Sequence, residues 1–386
     1  MLGAQQCHGV GSAAPSCLSF GARPARPLTG GVAHSRARIC RVMVTCPASI
    51  MLYSLLAFFV SAVVIYLACE FFVNGVEWVG CRLRLGATAV GTLLAAFGTA
   101  LPESAVTFVA VVFGETPDQK DIGVGAAIGG PLVLASLAYA VVGIMLLLRW
   151  RKGFAGSGVP QPIVLADQRR IARDQAWFMS IFVVKIAIGV MVFAWKPWFA
   201  VAFLGAYALY VVRELNADEG ASIMEELEPL RIRPSDPSMF WAVLQTVTAL
   251  VVIAGASHVF VQQIEFLGKA AGLAPTVAAM LLAPIATELP EVLNAVIWTR
   301  KGKERLALAN ISGAMMIQAT LPSAMAVSMT PWLLTTPLLA AAAFTMLAII
   351  VLWLALRRQA LSPGRLAGVS LFYGMFALFV VAWFWP

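Results

Sequence analysis

Two short stretches of this chain hold the residue types needed to bind a hard cation in an apolar setting. They are Gly98-Thr99-Ala100-Leu101-Pro102-Glu103 and Ala286-Thr287-Glu288-Leu289-Pro290-Glu291. Each lies inside a long apolar segment, where a carboxylate is costly unless it meets a cation, a partner or water. Thr99 and Glu103 share a helix face, as do Thr287 and Glu291. A proline four residues after Gly98 or Ala286 frees that residue's carbonyl from the helix ladder. Irregular backbone at membrane depth is tolerated only where it is buried in protein or lines a cavity. Carboxylate, hydroxyl and freed carbonyl oxygens are what Ca2+ or Na+ requires. Glu288 offers a further acid beside Thr287. Two copies in corresponding places of two halves point to one shared midplane ion site.

Each candidate also has a plainer structural role. Glu103 and Glu291 could sit in structural ion pairs, yet Lys185 is the basic residue that falls mid-span, and a lysine there snorkels or meets a partner acid. Thr99 and Thr287 could bond back to their own helices. Glu288 could face a loop cavity. Asn310 and Gln318 could join helices by hydrogen bonds or serve the site. His258 invites a proton relay but reads better as a hydrogen-bonded packing residue. Glu70 and Glu77 share a face and could flank an ion pathway or lie near an interface. Trp195, Trp198, Trp332, Trp383 and Trp385 fall at span ends and read as an interfacial belt.

The elements that must position these residues are membrane helices. The chain of 386 residues is 60% hydrophobic and 12% charged, about half the charge content of a soluble domain. Ten spans are expected, near 50–79, 86–113, 122–148, 175–194, 197–213, 239–268, 274–298, 304–329, 335–356 and 366–385. Each is near the roughly 20 residues that cross about 30 Å of hydrocarbon. The first and sixth are longer and should tilt strongly. The expected fold class is therefore an all-α polytopic membrane protein. No segment alternates apolar and polar residues as a membrane β-strand does. The net charge of +8 sits in short loops, as topology determinants do, so nucleic acid is not an expected partner. The expected partners are inorganic cations and the lipid bilayer. No His/Asp cluster, Ser–His arrangement or Gly-rich phosphate loop marks the spans as an enzyme, and no resident cofactor is expected. Cys69 and Cys81 read as reduced, inert residues.

Arg82 and Arg84, the run from Arg149 to Arg173, Arg213, Arg231 and Arg233, the run from Arg300 to Arg305, and Arg357, Arg358 and Arg365 fall in loops on one side. Lys120, Lys196 and Lys269 fall on the other. The positive-inside rule puts the first side in the cytoplasm and both termini outside, in a plasma (inner) membrane. Each half then has five spans, and an odd number inverts the second half relative to the first, a transporter signature. Aligning Glu103 with Glu291 also aligns Leu85 with Leu273, Thr88 with Thr276 and Pro102 with Pro290. Beyond the motif Gly129 aligns with Gly313, after extra residues around Glu115–Asp121 in the first half. The expected organisation is a disordered tail over 1–49, which starts at Met43 or Met51 could leave wholly or largely untranslated; a first repeat over 50–213 with core motif 86–148; an acidic cytoplasmic linker over 214–238; and a second repeat over 239–386 with core motif 274–329.

The doubled motif resembles that of the calcium/cation antiporter superfamily, with its sodium/calcium exchangers. The family pattern is G-T-S-L-P-E followed by G-N-x-x-G-S-N-x-x-N, once in each half. Here the following spans read Gly125-Ala126-Ala127-Ile128-Gly129-Gly130-Pro131-Leu132-Val133-Leu134 and Ala309-Asn310-Ile311-Ser312-Gly313-Ala314-Met315-Met316-Ile317-Gln318. The resemblance implies that Thr99, Glu103, Thr287, Glu291 and Gln318 are ligands, and that Glu288 occupies a ligand position. It implies a secondary antiporter in which spans one and six slide against a rigid remainder, exchanging Ca2+ for Na+ or, in a rival reading, for H+. Family serines are replaced by Ala100, Glu288, Gly130 and Ala314, and polar residues that close the site by Leu134 and Gln318. The site has lost neutral oxygens and gained an acid.

Overall fold

The computed structural model describes residues 48–82, 87–154, 167–217, 228–233 and 238–384. The expected tail (1–47) and most of the acidic linker lie outside them. The described residues form helices joined by turns and short loops, without strands. The first half runs α1 (Ala48–Arg82), α2 (Ala87–Val112), α3 (Pro117–Val133), a π-turn (Leu134–Ala138), α4 (Tyr139–Phe154), α5 (Gln168–Val190) and, after a 3-10 turn (Lys196–Trp198), α6 (Phe199–Ala217). The second half runs α7 (Met239–Ala270), α8 (Pro275–Thr287), α9 (Leu289–Arg300), α10 (Glu304–Met329), α11 (Thr336–Arg357), α12 (Pro363–Gly368) and α13 (Ser370–Phe384). Taking α3 with α4, α8 with α9 and α12 with α13 as single crossings gives ten segments, matching the expected spans. Among the described residues, six of these segments are long and apolar enough by composition alone to cross a membrane.

The longest helices are α1, with 35 residues, and α7, with 32. At 1.5 Å per residue each is about 50 Å long, well beyond the hydrocarbon thickness. They pack on each other at the edge of the bundle, where only 22% of their apolar windows is buried, against 61% for 117–151 and 275–300. Leu56, Phe59 and Val60 on α1 and Phe240, Val247 and Val251 on α7 stay exposed, as lipid-facing side chains should. A separate apolar cluster joins the pair to the rest of the bundle. Its inner wall is rich in alanine, with Ala110, Ala126, Ala278, Ala279 and Ala283 beside Val106 and Ile122.

The stretch 228–233 straps the ends of α1 and α7 together. Asn74 Nδ2 and Trp78 Nε1 donate to the Glu228 carbonyl at 3.3 and 2.9 Å. Asn74 Oδ1 accepts from the Arg231 amide at 3.1 Å and from Gln245 Nε2 at 2.9 Å. The Arg231 guanidinium reaches Glu70 at 2.7 Å, so Glu70 belongs to this strap. At the far end of α7, Lys269 pairs with Glu265 at 2.6 Å and with Asp118 at the start of α3 at 3.0 Å.

The centre of the bundle is the crossing of α3 with α8. Space for a side chain is absent where they touch: a Cβ on Gly125 would run into the Thr276 backbone, and one on Gly129 would lie 2.7 Å from the Met280 carbonyl oxygen. The glycines let two backbones approach closely, which brings the helices bearing the doubled motif together.

Candidate cation site

The two motif copies fold differently. α2 continues unbroken through Pro102, contrary to the expectation of irregular backbone in both copies. The second copy is interrupted. α8 ends at Thr287, Glu288 stands at the junction with φ −90° and ψ −3°, and α9 begins at Leu289 with Pro290 in its first turn. Proline suits a first helical turn because its missing N–H needs no partner there. The break projects Thr287 and Glu288 from one turn, with Glu291 in the next; the three are 2%, 1% and 0% exposed.

Glu103, 1% exposed, meets this turn from α2. Thr287 Oγ1 donates to Glu103 Oε2 at 2.5 Å and lies 3.1 Å from the Ala283 carbonyl. Gln318 of α10 donates through Nε2 to both oxygens of Glu288, at 2.8 and 2.9 Å. Glu103, Thr287, Glu288 and Gln318 therefore form one buried polar cluster built from α2, the α8–α9 break and α10. Glu103 Oε1 and Gln318 Oε1 accept no hydrogen bond among the described residues. Buried acceptors left open are costly. Two such oxygens beside a second carboxylate form a donor set that suits a hard cation.

Gly130 closes the fourth wall. A Cβ there would stand 2.8 Å from Gln318 Oε1 and 2.9 Å from Glu288 Oε1. The Glu288 carboxylate and the Gln318 amide occupy the volume that a side chain on 130 would need. The sequence showed both substitutions but not that they face each other.

Other candidates are placed elsewhere. Glu291 is buried one turn past Glu288, and among the described residues no trio of His, Cys, Asp or Glu converges on one point. The amide nitrogen of half-buried Asn310 makes no hydrogen bond among the described residues, so nothing ties Asn310 to the cluster. The Thr99 side chain lies outside the described residues. Ser312 accepts from Gln175 Nε2 at 3.2 Å, and Gln175 also reaches the Tyr139 hydroxyl at 2.6 Å; this network is separate from the acids. His258 bonds Gln262 one turn along α7 at 3.0 Å.

One reading fails for each of two residues. Of the two readings open for Lys185, snorkelling fails: it is 0% exposed, and its Nζ donates to the Ala127 carbonyl at 2.6 Å. Trp332 is not a belt residue, unlike exposed Trp195 and Trp198. It is fully buried, with its indole N–H on the Lys185 carbonyl at 3.1 Å. For Trp332, tertiary packing covers a span end that hydropathy alone would leave at the interface.

The sequence pattern described as sodium/calcium exchanger protein matches residues 53–215 and 241–385, most of the chain. The chain belongs to that family. It is therefore an integral membrane protein of the calcium/cation antiporter superfamily. Solved exchangers share its fold at low identity. The H+/Ca2+ exchanger CAX is 17% identical, with 92% of this chain and 89% of that one covered and a TM-score of 0.63. Native YfkE is 14% identical over 89% of this chain and 97% of its own, with a TM-score of 0.58. The sodium-calcium exchanger NCX_Mj is 16% identical over 84% and 97%, with a TM-score of 0.52. Among curated proteins none matches the chain in sequence.

Proposed function

We propose that this family member is a secondary cation antiporter that moves Ca2+ across the membrane in exchange for Na+ by alternating access. The observation that carries the reading is the meeting of Glu103 from one half with Thr287 from the other at 2.5 Å, beside a buried Glu103 oxygen with no hydrogen bond. Driving and exported ions compete for one set of carboxylates. An unoccupied, multiply charged site is too costly to carry through hydrocarbon, which makes exchange obligatory. The strapped α1–α7 pair is the moving part. Its seam against α2, α3 and α8 is rich in alanine, and the Lys269–Asp118 ion pair ties one end of it to α3.

A proton-coupled exchange is the second reading, favoured by the Glu288–Gly130 substitution. The site trades a neutral oxygen for an acid, and a proton needs no coordination shell. Two or three acids in one cavity cannot easily all ionise without a bound cation. Ca2+ flux into proteoliposomes, with Na+ and pH gradients imposed separately, distinguishes the readings. Flux driven by a Na+ gradient alone supports the first, flux driven by a pH gradient alone the second, and flux with neither removes both. The proposed orientation, with the linker in the cytoplasm, fails if an impermeant reagent labels Asp218→Cys in intact cells.

A further inference from the structure

Pro131 lies inside α3, near the end of that helix at Val133. It has no N–H, so the carbonyl four residues back, that of Ala127, loses its partner in the helix ladder. Ala127 is 1% exposed, and a buried carbonyl without a donor is costly. The donor comes from another helix. Lys185 of α5, 0% exposed, places its Nζ 2.6 Å from the Ala127 oxygen. The rings of Phe182 and Trp332 stand 5.3 and 5.8 Å from that Nζ, close enough for their faces to favour an ammonium.

The lysine is held from behind. Its own carbonyl accepts from the Trp332 indole at 3.1 Å. The Leu334 amide donates to the Gly189 carbonyl at 3.0 Å, and Lys196 Nζ donates to the carbonyls of Pro331 and Trp332 at 3.0 and 3.1 Å. Trp332 adopts φ 46°, a left-handed backbone that a bulky residue keeps only where its surroundings over-determine it. Residues 330–335 therefore fix the end of α5, and α5 delivers the ammonium to one carbonyl of α3. That carbonyl lies in the stretch where α3 meets the rest of the site. Gly125 and Gly129 touch the α8 backbone, and Gly130 faces the Glu288 carboxylate and the Gln318 amide.

We propose that Lys185 is a positioning residue for the cation site: its ammonium stands in for the N–H that Pro131 lacks, and so fixes the course of α3 that sets Gly130 against Glu288 and Gln318. The inference rests on the cation-site reading above. Lys185 acts through the backbone of α3 rather than by ligation. Without it the Ala127 carbonyl would turn toward another donor, and the turn that carries Gly130 would shift with it. Glu288 and Gln318 would then lose the wall that holds their oxygens in place.

Restoring the missing N–H tests this. Pro131→Ala gives the Ala127 carbonyl a donor from within α3, which should make Lys185 dispensable. Equilibrium binding of radiolabelled Ca2+ to the purified full-length protein is measured for wild type, Lys185→Met, Pro131→Ala and the double variant. Lys185→Met is expected to weaken binding about tenfold or more, the usual cost of losing a group that orients a metal site from outside it, and the double variant to return to within about threefold of wild type. Unchanged Ca2+ affinity in folded Lys185→Met would leave the lysine a packing residue and overturn the proposal. A double variant that binds no better than Lys185→Met would also overturn it. Melting temperatures of the same four proteins serve if Lys185→Met is too unstable to titrate. Pro131→Ala is expected to raise the melting temperature more in the Lys185→Met background than in wild type; an equal gain in both would overturn the pairing of Lys185 with the Pro131 gap. Failure of wild-type protein to bind Ca2+ would instead sink the cation-site reading, while the melting cycle still judges that pairing.

Discussion

The two halves of the chain bring the same motif to the centre of the bundle and use it differently. In the first half α2 passes through Pro102 without a break and contributes Glu103. In the second, the helix stops at Thr287 and restarts at Leu289, so one turn presents Thr287 and Glu288, with Glu291 a turn further on. The next span repeats the contrast. The first half offers Gly130 against Glu288, while the second offers Gln318, about one turn past Ala314, the counterpart of Gly130, to hold it. Of the four cluster residues, Thr287, Glu288 and Gln318 come from the second half and Glu103 from the first.

The comparison breaks most readily at its acids. Glu103→Gln and Glu291→Gln keep side-chain shape and remove the charge that offsets cation dehydration. Each is expected to lower Ca2+ flux in proteoliposomes by about 100-fold or more while the protein still elutes as a folded species. Near-wild-type flux in Glu103→Gln would leave the first half with no part in the site.

Thr287→Val tests the contact between the halves. It removes the donor to Glu103 and retains the volume. Losing a hydrogen bond to a charged group costs about 1.5–3 kcal/mol, or about 10–100-fold in apparent Ca2+ affinity by equilibrium binding. An unchanged affinity would mean that the 2.5 Å contact is incidental to ion binding.

Gly130→Ser sharpens the volume argument. The added Cβ must displace Glu288 or Gln318, and overpacking costs about 1–3 kcal/mol. The melting temperature should fall, and the double variant Gly130→Ser/Glu288→Ser should recover it, since residues that share a cavity are not additive. A double variant no better than Gly130→Ser would show that the two substitutions are unrelated.

The smallest expected effect is in the pH profile. Protons compete with cations at each acid of the cavity, so wild-type flux should decline as pH falls. Glu288→Ser removes one acid, flattens that decline by about a few-fold, and shifts ion preference toward Na+-coupled behaviour. Superimposable pH–flux profiles at equal expression would leave Glu288 as a structural residue.

The amino-acid sequence determined the class of molecule. Hydropathy summed over about 20 residues is a local property, so the ten segments, the long α1 and α7 and the polytopic fold follow from it without tertiary information. The doubled motif is local too, and it named the acids, the threonines and the glycines of α3. What only the tertiary structure decided is which of these residues meet. Thr287 and Glu103 are 184 residues apart, and their contact depends on α3 and α8 crossing at glycine faces. Pro102 and Pro290 have the same neighbours in sequence, yet packing lets the ladder run through one and breaks it at the other. Lys185 fell mid-span and Trp332 at a span end, and a distance along the span is all that a linear pattern registers. Their burial depends on α5, α3 and the segment before α11 closing over them, and such closure is a property of the assembled bundle.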